Sequence, residues 1–518
     1  MTTAQICIII AIAVYLIAMV FVGVAYSRAS KGGADSFYLG GRQLGPVVTA
    51  MSAEASDMSS WLLMGLPGVA YFTGIADAAW TAIGLALGTY LNFLLVAKRL
   101  RIYSAEINAI TVPEFFSKRF KDDKKALLGI SALIILIFFI PYTASGFSAC
   151  GKLFSNMFGM DYTTAMLISA VVIVAYCTLG GFLAASTTDL IQSIVMTIAL
   201  FVVLTVSEGF VGGFDKIFAA VGSLDGYTDL FKGFNVATGT TGKYGAVTIL
   251  STLAWGLGYF GMPHILLRFM AIDDPEKLKT SRRIATVWVV ISMGIAVLIG
   301  VAGYALMQAG VVGPYDSSSA AETVIVDVSS FISRMGYLPA FVAGIFISGI
   351  LASTMSTADS QLIAASSSVT QDVLVNTCKI KLSDKASMVI ARLSVIVIAV
   401  IAFFLARDPG SSVFGIVSFA WAGFGAAFGP VILLSLFWKR ANKIGAIAGM
   451  LSGGAMVFFW KFVIRTQFAG TVLDIYELLP AFLFGLIVMV VVSLLTPAPD
   501  AEQTSVFDEV KASLKVKA

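Results

Sequence analysis

Charge is scarce in this chain. Only 12% of its 518 residues are Asp, Glu, Lys or Arg, against 58% hydrophobic, where a soluble domain carries about 25% charged residues. There is a single histidine, His264, which excludes most histidine-based catalysis and any multi-histidine metal site. The four cysteines, Cys7, Cys150, Cys177 and Cys378, have no metal-type spacing, and most lie in apolar runs, so neither a disulfide framework nor a zinc site is read. H-E-x-x-H is missing, and no nucleophile–base pair stands out. The one tempting Gly-Lys, in T-G-T-T-G-K-Y, has Ala237 where a P-loop needs its first glycine and Tyr244 where it needs Ser or Thr. Nucleotide-driven transport and enzymatic chemistry are thereby disfavoured. An intramembrane aspartyl enzyme would need two aspartates in one site, and Asp57 and Asp189 lie in dissimilar motifs.

What the chain has instead is long apolar runs. Runs of about 20 residues mark membrane spans. About thirteen are read, near 4–26, 46–72, 77–97, 126–152, 160–179, 183–210, 244–270, 285–309, 337–366, 388–407, 413–438, 444–463 and 477–496. Helices are expected throughout, because open strands leave their backbone unsatisfied in lipid. The first run is too long for a signal-peptide core and is followed by no small-residue cleavage site, so it is kept as a span. Basic residues gather in alternate loops: Arg28, Lys31 and Arg42; Lys98 to Lys125; Lys277 to Arg283; Lys439 to Lys443. These loops should be cytoplasmic, which puts the N-terminus outside and the C-terminus inside. The loops 211–243 and 310–336 then fall outside, and the polar tail 497–518 is expected to be mobile.

Two spans are interrupted, five spans apart and so opposite in direction. The first is S-A-E-A-S-D-M-S-S-W-L-L-M-G-L-P-G, Ser52 to Gly68. The second is W-G-L-G-Y-F-G-M-P, Trp255 to Pro263. Broken helices in corresponding places of two halves point to a transporter site near the midplane. Asp57 lies in the first. A carboxylate at membrane depth costs about 2.5–3.5 kcal/mol and usually marks an ion or proton path; the plain alternative is a helix-end cap. Freed carbonyls beside it would suit a hard cation such as Na⁺. Glu54 is left unassigned, with a place near the cytoplasmic mouth as its plainest reading. Ser353, Ser356 and Thr357, at i, i+3 and i+4, put three hydroxyls on one helical face. They could complete an oxygen cage or simply bond the carbonyl one turn back. Trp255 and Tyr259, spaced i and i+4 beside Pro263, suit a small solute in a largely apolar pocket or are ordinary packing aromatics. Tyr142, after Pro141, is open in the same way. Asp189 is an ion ligand or a hydrogen-bond hub. His264 reads as structural or gating.

These stretches, with F-Y-L-G-G-R, W-G-L-G-Y-F-G-M-P-H-I-L-L-R-F-M, M-S-T-A-D-S-Q-L and S-F-A-W-A-G-F-G-A-A-F-G-P, resemble the sodium:solute symporter family, and within it bacterial sodium/proline symporters, from about residue 8 to 497. The resemblance implies an all-α polytopic fold of about thirteen transmembrane helices with a leucine-transporter-type core of two inverted five-helix repeats. The chain would then divide into 1–45 (extra N-terminal helix and cytoplasmic loop), 46–210 (first repeat), 211–438 (extracellular loop and second repeat), 439–496 (two extra C-terminal helices) and 497–518 (cytoplasmic tail). It further implies a sodium site on the carbonyls of Ala55 and Met58 and the hydroxyls of Ser356 and Thr357, with Ser353 at the third helical position. Asp57 matches an aspartate needed for sodium-coupled transport. Ser59, Tyr142, Trp255, Tyr259 and Pro263 match positions that hold proline, and Arg42 matches a sensitive arginine on the cytoplasmic side. Ser60 stands where the best-known proline symporters have glycine, Met262 where they have glutamine, and Ser353 where they have alanine. Ser353 with Asp189, Ser356 and Thr357 resembles a second sodium site of the family's sialic acid transporters. The implied function is Na⁺-coupled import of L-proline by alternating access in a bacterial inner membrane. The alternatives are another small solute (an amino acid, sugar acid or carboxylate) or an uncoupled channel or sensor on the same fold. Na⁺ is the expected coupling ion. No organic cofactor, nucleic acid or obligate protein partner is expected; the lipid bilayer is.

Overall fold

The computed structural model describes residues 2–27, 38–179 and 181–516. Arg28 and Lys31 of the first basic loop, Phe37 of F-Y-L-G-G-R and Gly180 lie outside the described residues. Numbering only the helices that build the bundle, the order is α1 (Thr3–Ser27), α2 (Pro46–Ala55), α3 (Leu66–Thr73), α4 (Ile75–Leu91), α5 (Ala126–Phe158), α6 (Tyr162–Leu179), α7 (Phe182–Val211), α8 (Ala246–Leu253), α9 (Pro263–Ala271), α10 (Leu278–Gln308), α11 (Tyr337–Ser367), α12 (Asp384–Leu405), α13 (Val413–Phe437), α14 (Lys443–Phe459), α15 (Leu478–Leu495) and α16 (Ala501–Val516).

Among the described residues, ten helices are long and apolar enough to cross a membrane. The other three expected spans are shorter or interrupted: α2 with α3, α6, and α8 with α9. α1 shows how a lipid-facing helix is built. Ile6, Ile10, Val14, Ile17 and Phe21 form an exposed stripe, while Ile8, Ala11, Ile12, Tyr15 and Met19 are buried where α1 packs on α7 and α11. Both faces are apolar because lipid and protein interior ask for the same chemistry. The buried bundle around α2, α9, α10, α11 and α13 is where polar residues collect.

Both interruptions are real, and each has a local cause. α2 stops at Ala55. The Ser56 hydroxyl turns back onto the Ala53 carbonyl at 3.0 Å, a side-chain competition that loosens helices. Ser59 N–H then donates to the Asp57 carbonyl at 2.8 Å, a bond too short in sequence for helix. The chain re-enters helix through a wide turn, Trp61–Gly65, ahead of α3. In the second break, Ala254–Gly261 is a 3₁₀ segment between α8 and α9, and Pro263 opens α9 at a position that needs no N–H. Glycine is required there by close approach. A Cβ on Gly256 would lie 2.2 Å from the Gly84 carbonyl oxygen, and one on Gly258 would lie 1.9 Å from Nε1 of Trp421.

Outside the bundle the connecting segments carry structure of their own, and one expectation changes. The loop 211–243 holds a helix, Phe214–Gly222, and an antiparallel hairpin pairing Lys232–Asn235 with Thr240–Lys243. The loop 310–336 holds the helix Val324–Ser333. The tail, expected to be mobile, is α16. Phe507 and Val510 are buried, the Arg119 guanidinium lies 5.3 Å over the Phe507 ring, and Lys121 pairs with Asp500 and Glu502. Residues Phe507, Val510 and Leu514 supply an apolar stripe at helical spacing.

Candidate functional site

The break after α2 aims a main-chain oxygen across the bundle. The Ala55 carbonyl accepts from the Ser356 hydroxyl at 2.7 Å and more weakly from Thr357 at 3.4 Å. Those hydroxyls come from α11, so two distant segments meet oxygen to oxygen. An ion there would use the lone pairs of the same atoms, which are the ligand type hard cations require. The Met58 carbonyl belongs to the same unwound stretch, and the Met58 sulfur touches the Ser292 hydroxyl at 3.8 Å. Ser353 lies on the same face of α11, but its hydroxyl donates to the Ile350 carbonyl one turn back at 2.8 Å.

Asp57 is fully buried and joins three elements. Its Oδ2 accepts from Tyr259 Oη at 2.8 Å, and its carbonyl accepts from Tyr142 Oη at 2.8 Å and from Trp61 Nε1 at 3.0 Å. The unwound segment is thus tied to α5 and to the 3₁₀ segment of the second break. Ser59 is buried just beyond. Trp255 and Tyr259 do not share a face as an α-helical i, i+4 pair would. Three residues per turn set them about a third of a turn apart. Tyr259 turns to Asp57 and edges onto Trp421, with centroids 5.0 Å apart. Trp255 stacks on Tyr476 at 4.9 Å and lies against Phe414 and Trp61. Pro263 faces Val112, Pro113 and Leu267 at a small cavity, apart from this aromatic group.

Asp189 is held by a partner that spacing could not reveal. Arg268 Nη2 lies 3.1 Å from its Oδ2, and both side chains are buried. The Ser52 hydroxyl donates to the same carboxylate at 2.6 Å and accepts from Arg268 Nε at 2.9 Å. Arg268 also donates to Ser360 Oγ and the His264 carbonyl. The cationic partner of Asp189 is therefore a guanidinium, and its hydrogen bonds run to Ser52 and Arg268, whereas Ser356 and Thr357 turn to Ala55. His264 is buried, with its ring 5.5 Å from that of Phe139.

Arg42 sits in a left-handed turn with Gly40 and Gly41. It donates to Ser104 Oγ, the Ser104 carbonyl, the Ala109 carbonyl and the Met270 carbonyl, so one side chain ties the end of α9 to the segment after α4. Leu44 pairs with Ile272 beside it. At the other end of the bundle, Lys152 holds Glu322 at 2.8 Å together with Ser319 Oγ and the Ser411 carbonyl. Glu322 in turn accepts from the Val413 and Phe414 N–H groups. That pair fixes the start of α13 so that Phe414 rests on Trp255 and Trp61.

Sequence reasoning missed Arg268, Lys152 with Glu322, and the burial of Glu54. Glu54, expected near the cytoplasmic mouth, is fully buried, and its Oε2 accepts from Thr89 at 3.2 Å and Tyr259 at 3.3 Å. A lone charge in an apolar run was the available signal for Arg268 and Lys152.

A model of the sodium:solute symporter family matches residues 37–453. The osmoregulated proline transporter OpuE of Bacillus subtilis is 42% identical over 98% of this chain and 99% of its own length. The sodium/proline symporter of Escherichia coli is 42% identical over 96% of this chain and 95% of its own. Among solved structures, a Na⁺-coupled sialic acid symporter in an outward-open state matches with a TM-score of 0.78 at 19% identity, covering 95% of this chain and 98% of that one. The transporter MhsT, in complex with L-phenylalanine, matches at 0.52 and 11%, covering 87% and 98%. Likenesses at such identities speak for the fold alone: an all-α, many-span bundle of the leucine-transporter type.

Proposed function

We propose that this chain, which belongs to the sodium:solute symporter family, imports L-proline by symport with Na⁺. One observation carries the reading: a single unwound segment meets the Ser356 and Thr357 hydroxyls through the Ala55 carbonyl and, two residues on, meets Tyr142 and Tyr259 through Asp57. Ion and solute would then act on the same few residues. Na⁺ is held by the carbonyls of Ala55 and Met58 and the hydroxyls of Ser356 and Thr357, with Asp57 supplying the attracting charge. Proline lies beside it, its ring against Trp255 and its carboxylate towards a half-helix N-terminus. Because Ala55 and Ser356 sit on different elements, an ion bound between them favours the arrangement in which those elements are closed on one another. The Lys152–Glu322 pair and Arg42 hold the two ends of the path, and alternating access opens one while the other stays shut. The relatives named for proline support that solute.

The basic loops support an N-terminus outside and a cytoplasmic C-terminus. The two interrupted spans support repeats over 46–210 and 211–438. One Na⁺ crossing about 100 mV contributes about 2.3 kcal/mol; a tenfold gradient adds about 1.4, enough together for roughly 500-fold accumulation. The test is uptake of labelled proline into proteoliposomes under an imposed Na⁺ gradient. Uptake that follows a proton gradient and ignores Na⁺ overturns the coupling ion. No proline uptake, with another solute transported, overturns the substrate.

A further inference from the structure

We infer that Tyr476, on the connection between α14 and α15, is a positioning residue for the solute: it sets the Trp255 ring against which proline packs. The inference rests on the Na⁺-symport reading above and adds a residue to its solute side. Tyr476 lies in T-V-L-D-I-Y-E-L-L, Thr471 to Leu479. Thr471, Val472 and Leu473 are exposed, while Glu477 and Leu478 are buried, so the stretch starts at the surface and ends inside the bundle.

One arginine and two acids fold this turn. Arg465 Nε lies 3.1 Å from Asp474 Oδ1, and its Nη1 lies 2.8 Å from Glu477 Oε2. Asp474 Oδ2 also accepts from the Gly470 N–H at 3.0 Å, and Gly470 has a φ of 74°, a left-handed value that suits glycine. Glu477 is fully buried, with Lys461 Nζ 3.6 Å from its other oxygen. A buried carboxylate is costly unless paired. Glu477 therefore stays with its cations and fixes its neighbour, Tyr476. α15 then packs on α13 and on the 3₁₀ segment of the second break.

The tyrosine so fixed reaches the two elements that frame that break. Its N–H donates to the Ser251 hydroxyl of α8 at 2.7 Å, and its own hydroxyl donates to the Ser418 carbonyl of α13 at 2.7 Å. Between these bonds its ring stacks on Trp255, with centroids 4.9 Å apart and planes 21° apart. Trp421 Nε1 holds the Trp255 carbonyl at 2.8 Å, which fixes the main chain but not the ring. The ring takes its angle from its aromatic neighbours, Tyr476 and Phe414, the latter at 5.0 Å and 36°. Phe414 is set by Lys152–Glu322 and Tyr476 by Arg465–Glu477. Two ion pairs on separate elements thus each place one ring on Trp255. An apolar side chain would fill the same space as Tyr476; the hydroxyl bond and the buried anchor fix the angle of its ring as well.

Among the described residues, the hydrogen bonds and ring contacts of Tyr476 go to Ser251, Ser418 and Trp255, and none goes to Ala55, Met58, Ser356 or Thr357. Losing the ring should therefore act on the solute and spare the ion.

The experiment uses the full-length chain in proteoliposomes under an imposed Na⁺ gradient. Initial uptake of labelled L-proline is measured against proline at fixed Na⁺, and against Na⁺ at saturating proline. Tyr476→Ala should raise the proline KM by about 3–10-fold, the worth of an aromatic pair, while the half-saturating Na⁺ concentration stays within about twofold. Tyr476→Phe keeps the ring and should recover most of the lost KM. Tyr476→Leu keeps the bulk without the stack and should not, so this comparison decides even if the alanine variant fails to fold. Added to Trp255→Leu, Tyr476→Ala should raise KM no further, because the one residue acts through the other. A proline KM in Tyr476→Leu equal to that in Tyr476→Phe overturns this inference and leaves symport intact. So does a parallel rise in KM and Na⁺ requirement, or an additive effect in the double variant. No Na⁺-driven proline uptake by the unchanged chain overturns the symport reading and this inference with it.

Discussion

Replacing Asp189 by asparagine separates two roles that the sequence left open, ion ligand and structural counter-charge. The carboxylate lies 3.1 Å from Arg268, with side-chain exposures of 0% and 1%. At an effective dielectric of about 20, opposite charges at that separation attract by about 5 kcal/mol; removing one member of a buried pair typically costs about 3–5 kcal/mol. The penalty should be asymmetric. Arginine cannot shed its proton, so Asp189→Asn strands a guanidinium whose remaining support is Ser52, Ser360, the His264 carbonyl and the Phe182 ring. In Arg268→Met the stranded carboxyl can take up a proton, which limits the loss. The double change Asp189→Asn with Arg268→Met removes both charges and leaves Ser52 and Ser360 short of partners, about 1 kcal/mol each. The expected order of damage is therefore Asp189→Asn first, Arg268→Met second and the double change least. Thermal unfolding of the detergent-purified variants, read by tryptophan fluorescence, gives that order directly. If Asp189→Asn unfolds with the unchanged chain while the Na⁺ Hill slope of uptake drops, the pair is not what holds this region together. Asp189 would then belong to an ion site.

Asp57→Asn keeps the shape but loses the charge, and is expected to abolish uptake or shift the Na⁺ requirement upward by more than about tenfold; near-normal Na⁺ dependence refutes the ion path. Ser356→Ala should raise the Na⁺ needed for half-maximal uptake by about 10–100-fold, the worth of about 1.5–3 kcal/mol for a bond to a charged group. Ser353→Ala should change it less than about threefold, because that hydroxyl is spent on Ile350. Equal effects would mean that Ser353 also faces the ion. Gly258→Ala places a Cβ 1.9 Å from Trp421 Nε1 and should cost about 1–3 kcal/mol of stability as overpacking, with uptake lost in proportion; an unaffected melting midpoint argues that the 3₁₀ segment can move away. Lys152→Met loosens Glu322 and with it the Phe414 end of α13, so the solute KM should rise more than the Na⁺ requirement; a parallel rise in both refutes a solute-side gate.

How much was legible depended on whether a feature lives in composition or in pairing. The two breaks were legible because small residues, an acid and a proline inside apolar runs leave no stable uninterrupted helix. The hydroxyl face of α11 was legible from helical spacing, since Ser356 and Thr357 fall together at i+3 and i+4. The α-helical pairing of Trp255 with Tyr259 failed because the glycines that mark the break also tighten it to 3₁₀, which changes the angular step. The tail was misread because its polarity hid the Phe507, Val510 and Leu514 stripe. Arg268 and Asp189 are 79 residues apart, and Lys152 and Glu322 are 170 apart. No local pattern connects such residues.

Spacing also could not tell which buried acids are neutralised, and that distinction assigns their roles. Asp189 and Arg268 lie on packed helices and cancel one another, so their charges are internal to the structure and an arriving cation gains little from them. Glu54 and Asp57 flank an unwound turn and share a phenol in place of a guanidinium. A buried charge without a fixed counter-charge is expensive, and the expense falls when a cation arrives. In a carrier driven by a cation gradient, the place where charge is left unbalanced is the place where the gradient can do work. By that criterion we propose the Glu54–Met58 turn for the coupling chemistry and the Asp189–Arg268 pair for the scaffold that holds it.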